Sequence, residues 1–330
     1  SLFTIATGWA WGLASLVVFR FLFGAGEAGC FPNVTKAFTL WLPAPERVRA
    51  QGIMWLSARW GGAFTPLVVV WVLTFMSWRG TFTVFGLIGI VWAFFFYRWF
   101  RDDPRRHPSV NAAELKLIGD AHANAVGHGR VPWDSLLRSR TVWMLWLQYF
   151  CMSYSWYFYI TWMPTYLKES FPMLGKWESA LLNCIPLFFG LISQRLADRY
   201  GTATGRRRIA VFGFAMAGVM LLVATQFKSP LYAMLAVGFA SFGNDLALPG
   251  AWGACMDVGG RNAGSLSGSM NMMGNVGGAL APLLVPLILG WAGGNWNVNF
   301  QVFAAVYFIG GLAWLFIDPV TPLEEQVKAA

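Results

Sequence analysis

Apolar runs too long for a soluble core recur along this chain. They lie near residues 12–40, 48–76, 80–100, 141–166, 176–195, 207–226, 230–256, 262–290 and 297–317, after a short apolar stub at 1–10. Roughly 18–20 such residues carry a helix across a bilayer. In hydrocarbon, backbone N–H and C=O groups must be paired within a helix or around a closed barrel. These runs are continuous and lack the alternation of barrel strands, so they predict membrane-spanning helices. Composition agrees: 57% of residues are hydrophobic and only 12% are charged, against about 25% charged in a soluble domain. The 19 Trp and 9 Tyr suit anchoring at membrane interfaces.

A polar segment at 101–140 divides the chain into 1–100 and 141–317, with a tail at 318–330. It is rich in Pro, Gly and charge, and reads as a linker with one amphipathic helix around 111–122. His107, His122 and His128 lie in it. With no Cys and few carboxylates beside them, they read as solvated residues and not as metal ligands. The net charge of +9 would suit nucleic acid if it were clustered. The basic residues instead sit in short connections, so no nucleic-acid partner is expected. Most fall in one alternating set of connections: Arg47, Arg49, the 98–140 segment, Arg195 to Arg208, and Arg261. The opposite set holds Arg79, Lys168, Lys176 and Lys228. The positive-inside bias puts the linker and the C-terminus in the cytoplasm. Cys30, Cys151, Cys184 and Cys255 form no C-x-x-C pair, so neither a disulfide framework nor a metal site is expected, and no cofactor. No H-E-x-x-H or G-x-S-x-G is present, so an enzyme is not expected.

The chain contains an internal repeat. "GIMWLSARWGGAFTPL" from Gly52 and "GSMNMMGNVGGALAPL" from Gly268 share Gly, Met, Gly-Gly-Ala and Pro-Leu at an offset of 216. Repeated halves flanking a midplane site are a transporter architecture. The second copy lies in the fifth of six spans after the linker, and the first in the third element of the chain. Equivalent halves would make twelve spans in a 6 + 6 arrangement. Two helices and part of a third would then precede Ser1.

Ionisable residues at bilayer depth are costly and are functional candidates by default. Arg20 and Glu27 are seven residues apart, so they share a helix face, about 10.5 Å apart along the axis. Arg20 is placed to hold an anion and Glu27, near the middle of its run, to take and release a proton. Lys36 is on the opposite face near the cytoplasmic end and is given no role. The G-x-G-x-x-G of Gly24, Gly26 and Gly29 lies mid-run with no preceding strand, so it reads as close helix packing and not as a nucleotide site. Pro32 predicts a kink. Arg59 is also near mid-membrane, and its repeat partner is Asn275; together they could clamp an anionic polyhydroxy ligand, with Asn271 one turn before Asn275. Asn244 and Asp245 lie midway along 230–256, Asn244 as a substrate contact and Asp245 as a second proton site. Asp257, at the cytoplasmic end, is expected to pair with Arg261. Tyr154 and Tyr157 share one side of 141–166, and Tyr157 is the candidate for substrate contact.

Taken together, "RFLFGAGEAGCFPN", "WLPAPERVRAQGI", "YITWMPTYLKE", "LADRYG" and "GSMNMMGNVGGALAP" resemble the major facilitator superfamily, and within it the anion:cation symporters of sugar acids and organic anions. The resemblance implies an all-α integral membrane fold of two six-helix bundles. It implies substrate and proton roles for Arg20 and Glu27 and a substrate contact at Asn275. It also implies a gating loop at Asp198, Arg199 and Gly201, although Gln194 replaces that motif's first glycine and Thr202-Ala203-Thr204 interrupt its end. The function expected is proton-coupled symport of a carboxylated sugar or other organic anion by a monomer in bacterial inner-membrane lipid. An efflux transporter of the same fold and a solute-sensing receptor are the alternatives.

Overall fold

The computed structural model describes residues 1–118, 133–175, 178–179, 181–182, 184–186 and 203–323. Its long elements are helices: α1 (Leu2–Gly8), α2 (Leu13–Glu27), α3 (Cys30–Trp41), α4 (Ala44–Leu73) and α5 (Trp78–Trp99). Within the linker lie α6 (Ala112–Ile118) and α7 (Trp133–Arg138), and beyond them come α8 (Arg140–Thr161), α9 (Met163–Ser170), α10 (Ala203–Ala224), α11 (Pro230–Gly259), α12 (Ala263–Trp291) and α13 (Trp296–Leu315). Five segments among the described residues are long and apolar enough to cross a membrane. The longest, Pro230–Trp291, contains both α11 and α12. Helices α4 and α8, of 30 and 22 residues, are also long enough to cross.

Short polar residues and glycines set the helix ends. Ser77 Oγ accepts from the Gly80 N–H at the start of α5, and Ser139 Oγ from Val142 at the start of α8. Pro45 lies in the first turn of α4. Gly260, at φ 48°, separates α11 from α12, and Gly293 and Gly294, at φ 61° and 84°, turn the chain into α13.

The run at 12–40 is two helices and not one. It breaks at Ala28–Gly29, four residues before Pro32, where the proline lacks an N–H for the Ala28 carbonyl and its ring crowds that group. The chain still spans Leu13–Trp41 as one apolar segment. The break leaves Glu27 as the last residue of α2.

Close backbone approach holds the second half together. A Cβ at Gly213 of α10 would collide with the Gly243 carbonyl of α11, and the reverse also holds. A Cβ at Gly277 of α12 would lie 2.6 Å from the Phe150 carbonyl of α8, and one at Gly278 would lie 2.5 Å from the Tyr157 ring. Small residues at such crossings give the packing that substitutes for a hydrophobic driving force in lipid. The repeat falls on matching elements, α4 and α12. The first-copy glycines Gly61 and Gly62 have nothing described within 4 Å of an added Cβ. In the first half, α1 packs on α5, and α3 is tied to α4 by a buried hydrogen bond from Gln51 to Thr35 at 3.1 Å. The halves meet where α3 packs on α12 and α4 on α11.

The linker is less solvated than expected. His107 is 7% exposed, between the rings of Trp41 and Trp99 at 5.5 and 5.6 Å. The turn at Pro104–Arg106 folds the chain back onto the ends of α3 and α5. The expected helix is present as α6, and α7 is a second that the sequence reading did not mark. His122 and His128 lie outside the described residues.

Candidate functional site

A cavity of about 460 Å³ lies between the halves. Helices α2 and α3 contribute Gly24, Glu27, Ala28 and Phe31, and α4 contributes Trp55. The opposite wall is Tyr149, Ser153, Trp156 and Tyr157 of α8 with Asn271, Gly274 and Asn275 of α12. A smaller lobe of about 130 Å³ shares Trp55, Tyr149, Ser153 and Trp156, and adds Ala58, Met152, Asn244 and Leu248.

Five of the expected residues therefore face one space or its side lobe: Glu27, Tyr157, Asn271, Asn275 and Asn244. The break after Glu27 and the glycine at 24 open α2 to the cavity. Asn275 Nδ2 donates to the Asn271 carbonyl at 2.9 Å, which fixes its amide along α12. Gly274 and Gly278 bring α12 within contact of Tyr149 and Tyr157, so the two amides and the phenol occupy one wall.

Other expected residues lie elsewhere. Arg20 is exposed, two turns beyond Glu27 on α2, with its guanidinium 4.8 Å from the Phe23 ring; it does not line the cavity. Arg59 belongs to α4, next to the lining residue Ala58, and its side chain lies outside what the structure describes. Asp198, Arg199 and Gly201 lie outside the described residues. Asp245 is fully buried behind Asn244, which donates to it at 3.1 Å and accepts from the Tyr307 hydroxyl at 3.2 Å. Tyr159 continues this chain at 3.4 Å from Tyr307. Tyr154 does not share the Tyr157 surface: it is 3% exposed and packs on Phe303. Three residues turn a helix by 300°, and the remaining 60° separates cavity from core.

Asp257 is held from two directions. Arg206 Nη1 lies 2.6 Å from Oδ2, and Arg47 Nη1 of the other half lies 3.7 Å from Oδ1. Arg47 also donates to the Thr39 and Leu42 carbonyls, and Arg206 to Pro319. Asp257 therefore sits in a network that tertiary packing makes, with Arg47 and Arg206 as partners from α4 and α10.

Phe31, Trp55, Tyr149, Ser153 and Trp156 were not singled out in the sequence. Phe31 lies four residues from Glu27, Trp55 four from Arg59 and Ser153 four from Tyr157, so extending each candidate by one helical turn finds these three; Trp156 adjoins Tyr157 in the chain, and Tyr149 lies two turns from it.

The chain matches the Major Facilitator Superfamily over residues 1–282 and 176–330. It belongs to that superfamily. It is a multi-pass integral membrane protein of a family of transporters, not enzymes. It is 33% identical over 338 residues to a probable sulfoacetate transporter of Cupriavidus necator, covering 99% of this chain and 78% of that one. It is 26% identical to a probable L-galactonate transporter of Escherichia coli, covering 96% and 72%. In fold it is similar to the proton:xylose symporter XylE, with a TM-score of 0.72 at 13% identity over 99% of this chain and 81% of that one.

Proposed function

We propose that this transporter carries a carboxylated sugar or similar organic anion together with a proton, by rocking its halves around the cavity that holds Glu27, Asn271, Asn275 and Tyr157. The observation that carries this reading is the placement of one carboxylate and two amides in a single aromatic-walled space between the halves. Amides offer donors and acceptors to hydroxyl groups. Aromatic faces suit the C–H surfaces of a sugar-sized ligand better than a compact inorganic anion. Glu27 is the proton carrier in this reading because, among the described residues, it is the carboxylate that lines the cavity. Arg59, adjoining the lobe on α4, supplies the positive charge for the substrate carboxylate, with Arg20 an outer contact on its path. Asp245 is a second proton site behind Asn244. The 198–201 loop gates the cytoplasmic side. The relatives' names, sulfoacetate and L-galactonate, agree with an organic anion. The linker and C-terminus are cytoplasmic by the distribution of Lys and Arg, and the bacterial relatives favour a bacterial inner membrane. The protein acts as a monomer.

Uptake by the full-length protein in proteoliposomes tests this reading. The panel holds hexuronates, aldonates, glucarate, sulfoacetate and inorganic phosphate, with and without an inward proton gradient. Accumulation of a sugar acid only with the gradient is the expected result. Gradient-independent uptake would remove the proton role, and no uptake of any member by folded protein would remove the symporter reading.

A further inference from the structure

Four aromatic rings, two from each half, close one end of the cavity. Phe31 stacks on Trp55 with centroids 4.7 Å apart and planes 12° from parallel. Trp252 lies against both, 5.6 Å from Trp55 and 6.2 Å from Phe31. Tyr149 meets Trp252 edge-on at 5.7 Å. Phe31 and Trp55 come from α3 and α4, Trp252 and Tyr149 from α11 and α8. Phe31, Trp55 and Tyr149 line the cavity, while Trp252 is fully buried behind them.

The cluster lies toward the charged end of the molecule. Phe31 follows Glu27 in the direction of the 42–43 turn. Trp55 is eight residues after Arg47, about two turns. Trp252 is five residues before Asp257. The rings therefore separate the cavity from the Arg47–Asp257 contact.

Two donors within the cluster have no partner among the described residues: Trp55 Nε1 and Trp252 Nε1 are both buried without a hydrogen bond. Buried polar groups are paired in the great majority of cases, and leaving a donor desolvated opposes the state that buries it. Ring packing holds this cluster closed, while its two N–H groups favour any arrangement that gives them acceptors. A permanent core gains nothing from that balance, whereas a contact that must part in each cycle does.

We propose that Phe31, Trp55, Trp252 and Tyr149 form the gate between the cavity and the Arg47–Asp257 side, with the Trp55 and Trp252 N–H groups gaining oxygen acceptors as the halves separate. The gate rests on the alternating-access reading above but needs no knowledge of the substrate.

The test is side-specific labelling of a cysteine in the cavity. In the full-length protein, Cys30, Cys151, Cys184 and Cys255 are replaced by alanine, and Ser153→Cys provides the reporter in the cavity wall. A membrane-impermeant thiol reagent is applied from each face of oriented vesicles. Trp55→Ala and Trp252→Ala should raise the labelling rate from the Arg47–Asp257 face fivefold or more. Trp55→Phe keeps a ring and removes the donor, so it should label more slowly than the parent from that face. Monodisperse alanine variants that label within twofold of the parent would overturn the gate. If the alanine variants do not fold, Trp55→Phe decides alone: a rate equal to or above the parent's overturns it. Labelling requires no transported anion, so a failed uptake panel leaves this readout intact.

Discussion

Arg47 of the first half and Asp257 of the second lie 3.7 Å apart, Nη1 to Oδ1, while the other oxygen of the same carboxylate is 2.6 Å from Arg206. One carboxylate thus serves a contact within its own half and a contact between halves. The side chains of Arg206 and Asp257 are only 5% and 16% exposed. Removing the charge leaves two guanidinium groups sharing a mostly buried site.

Asp257→Asn is expected to lower stability by about 3 kcal/mol, the scale for breaking a buried ion pair on one side. Arg47→Ala removes the longer contact together with its hydrogen bonds to the Thr39 and Leu42 carbonyls, leaves the Arg206–Asp257 pair intact, and should cost about 2 kcal/mol. Thermal unfolding of the purified variants in detergent, followed by intrinsic fluorescence, checks the ranking. Equal losses would mean that the Arg206 contact adds nothing beyond the contact between halves.

The glycines of the repeat make a paired prediction. A Cβ at Gly277 would press on the Phe150 carbonyl, and backbone cannot swing aside as a side chain can. Gly277→Ala should therefore destabilise by about 1–3 kcal/mol, the range for overpacking. Gly61→Ala, its repeat partner, meets open space among the described residues. It should change stability by no more than about 0.5 kcal/mol in this chain. A loss at Gly61 matching that at Gly277 in the full-length protein would show another element packed against α4.

Much of this architecture is legible in the sequence because a bilayer permits few alternatives. Continuous apolar runs give the helices, and the matched Gly-Gly-Ala and Pro-Leu give the correspondence of α4 with α12. Glu27, Asn271 and Asn275 are found for a related reason: polar groups in such runs need a wet surface, and the cavity provides it. The aromatic floor is not legible, since Phe31, Trp55 and Trp252 look in sequence like any ring facing lipid or core. The network around Asp257 is also hidden: the packing of α4 on α11 brings Arg47 to it, and α10 brings Arg206. The break after Glu27 was half visible, because Pro32 marks a distortion while its position follows from the carbonyl four residues earlier.

Glu27→Gln preserves size and hydrogen bonding while fixing the neutral form. It should abolish accumulation driven by a proton gradient and retain exchange of labelled for unlabelled substrate down its own gradient. Parallel uptake and counterflow assays in proteoliposomes separate the two. Loss of both would make Glu27 a substrate contact, and retention of accumulation would move the proton to another group, with Asp245 the next to test.

Arg59→Ala bears on how the anion is held. If its guanidinium bonds the substrate carboxylate, losing a charged hydrogen bond costs roughly 1.5–3 kcal/mol, or on the order of a 10- to 150-fold rise in Kd. Arg59→Lys should recover only part of this, because an ammonium group cannot form the two parallel bonds that a guanidinium gives a carboxylate. Asn275→Ala should weaken binding of hydroxylated acids more than that of an acid lacking hydroxyls, since its amide is assigned to those groups. Equilibrium binding of a hydroxylated and an unhydroxylated acid to the three variants resolves the roles. An Arg59→Ala protein with Kd within twofold of the parent for both acids would assign Arg59 to helix packing.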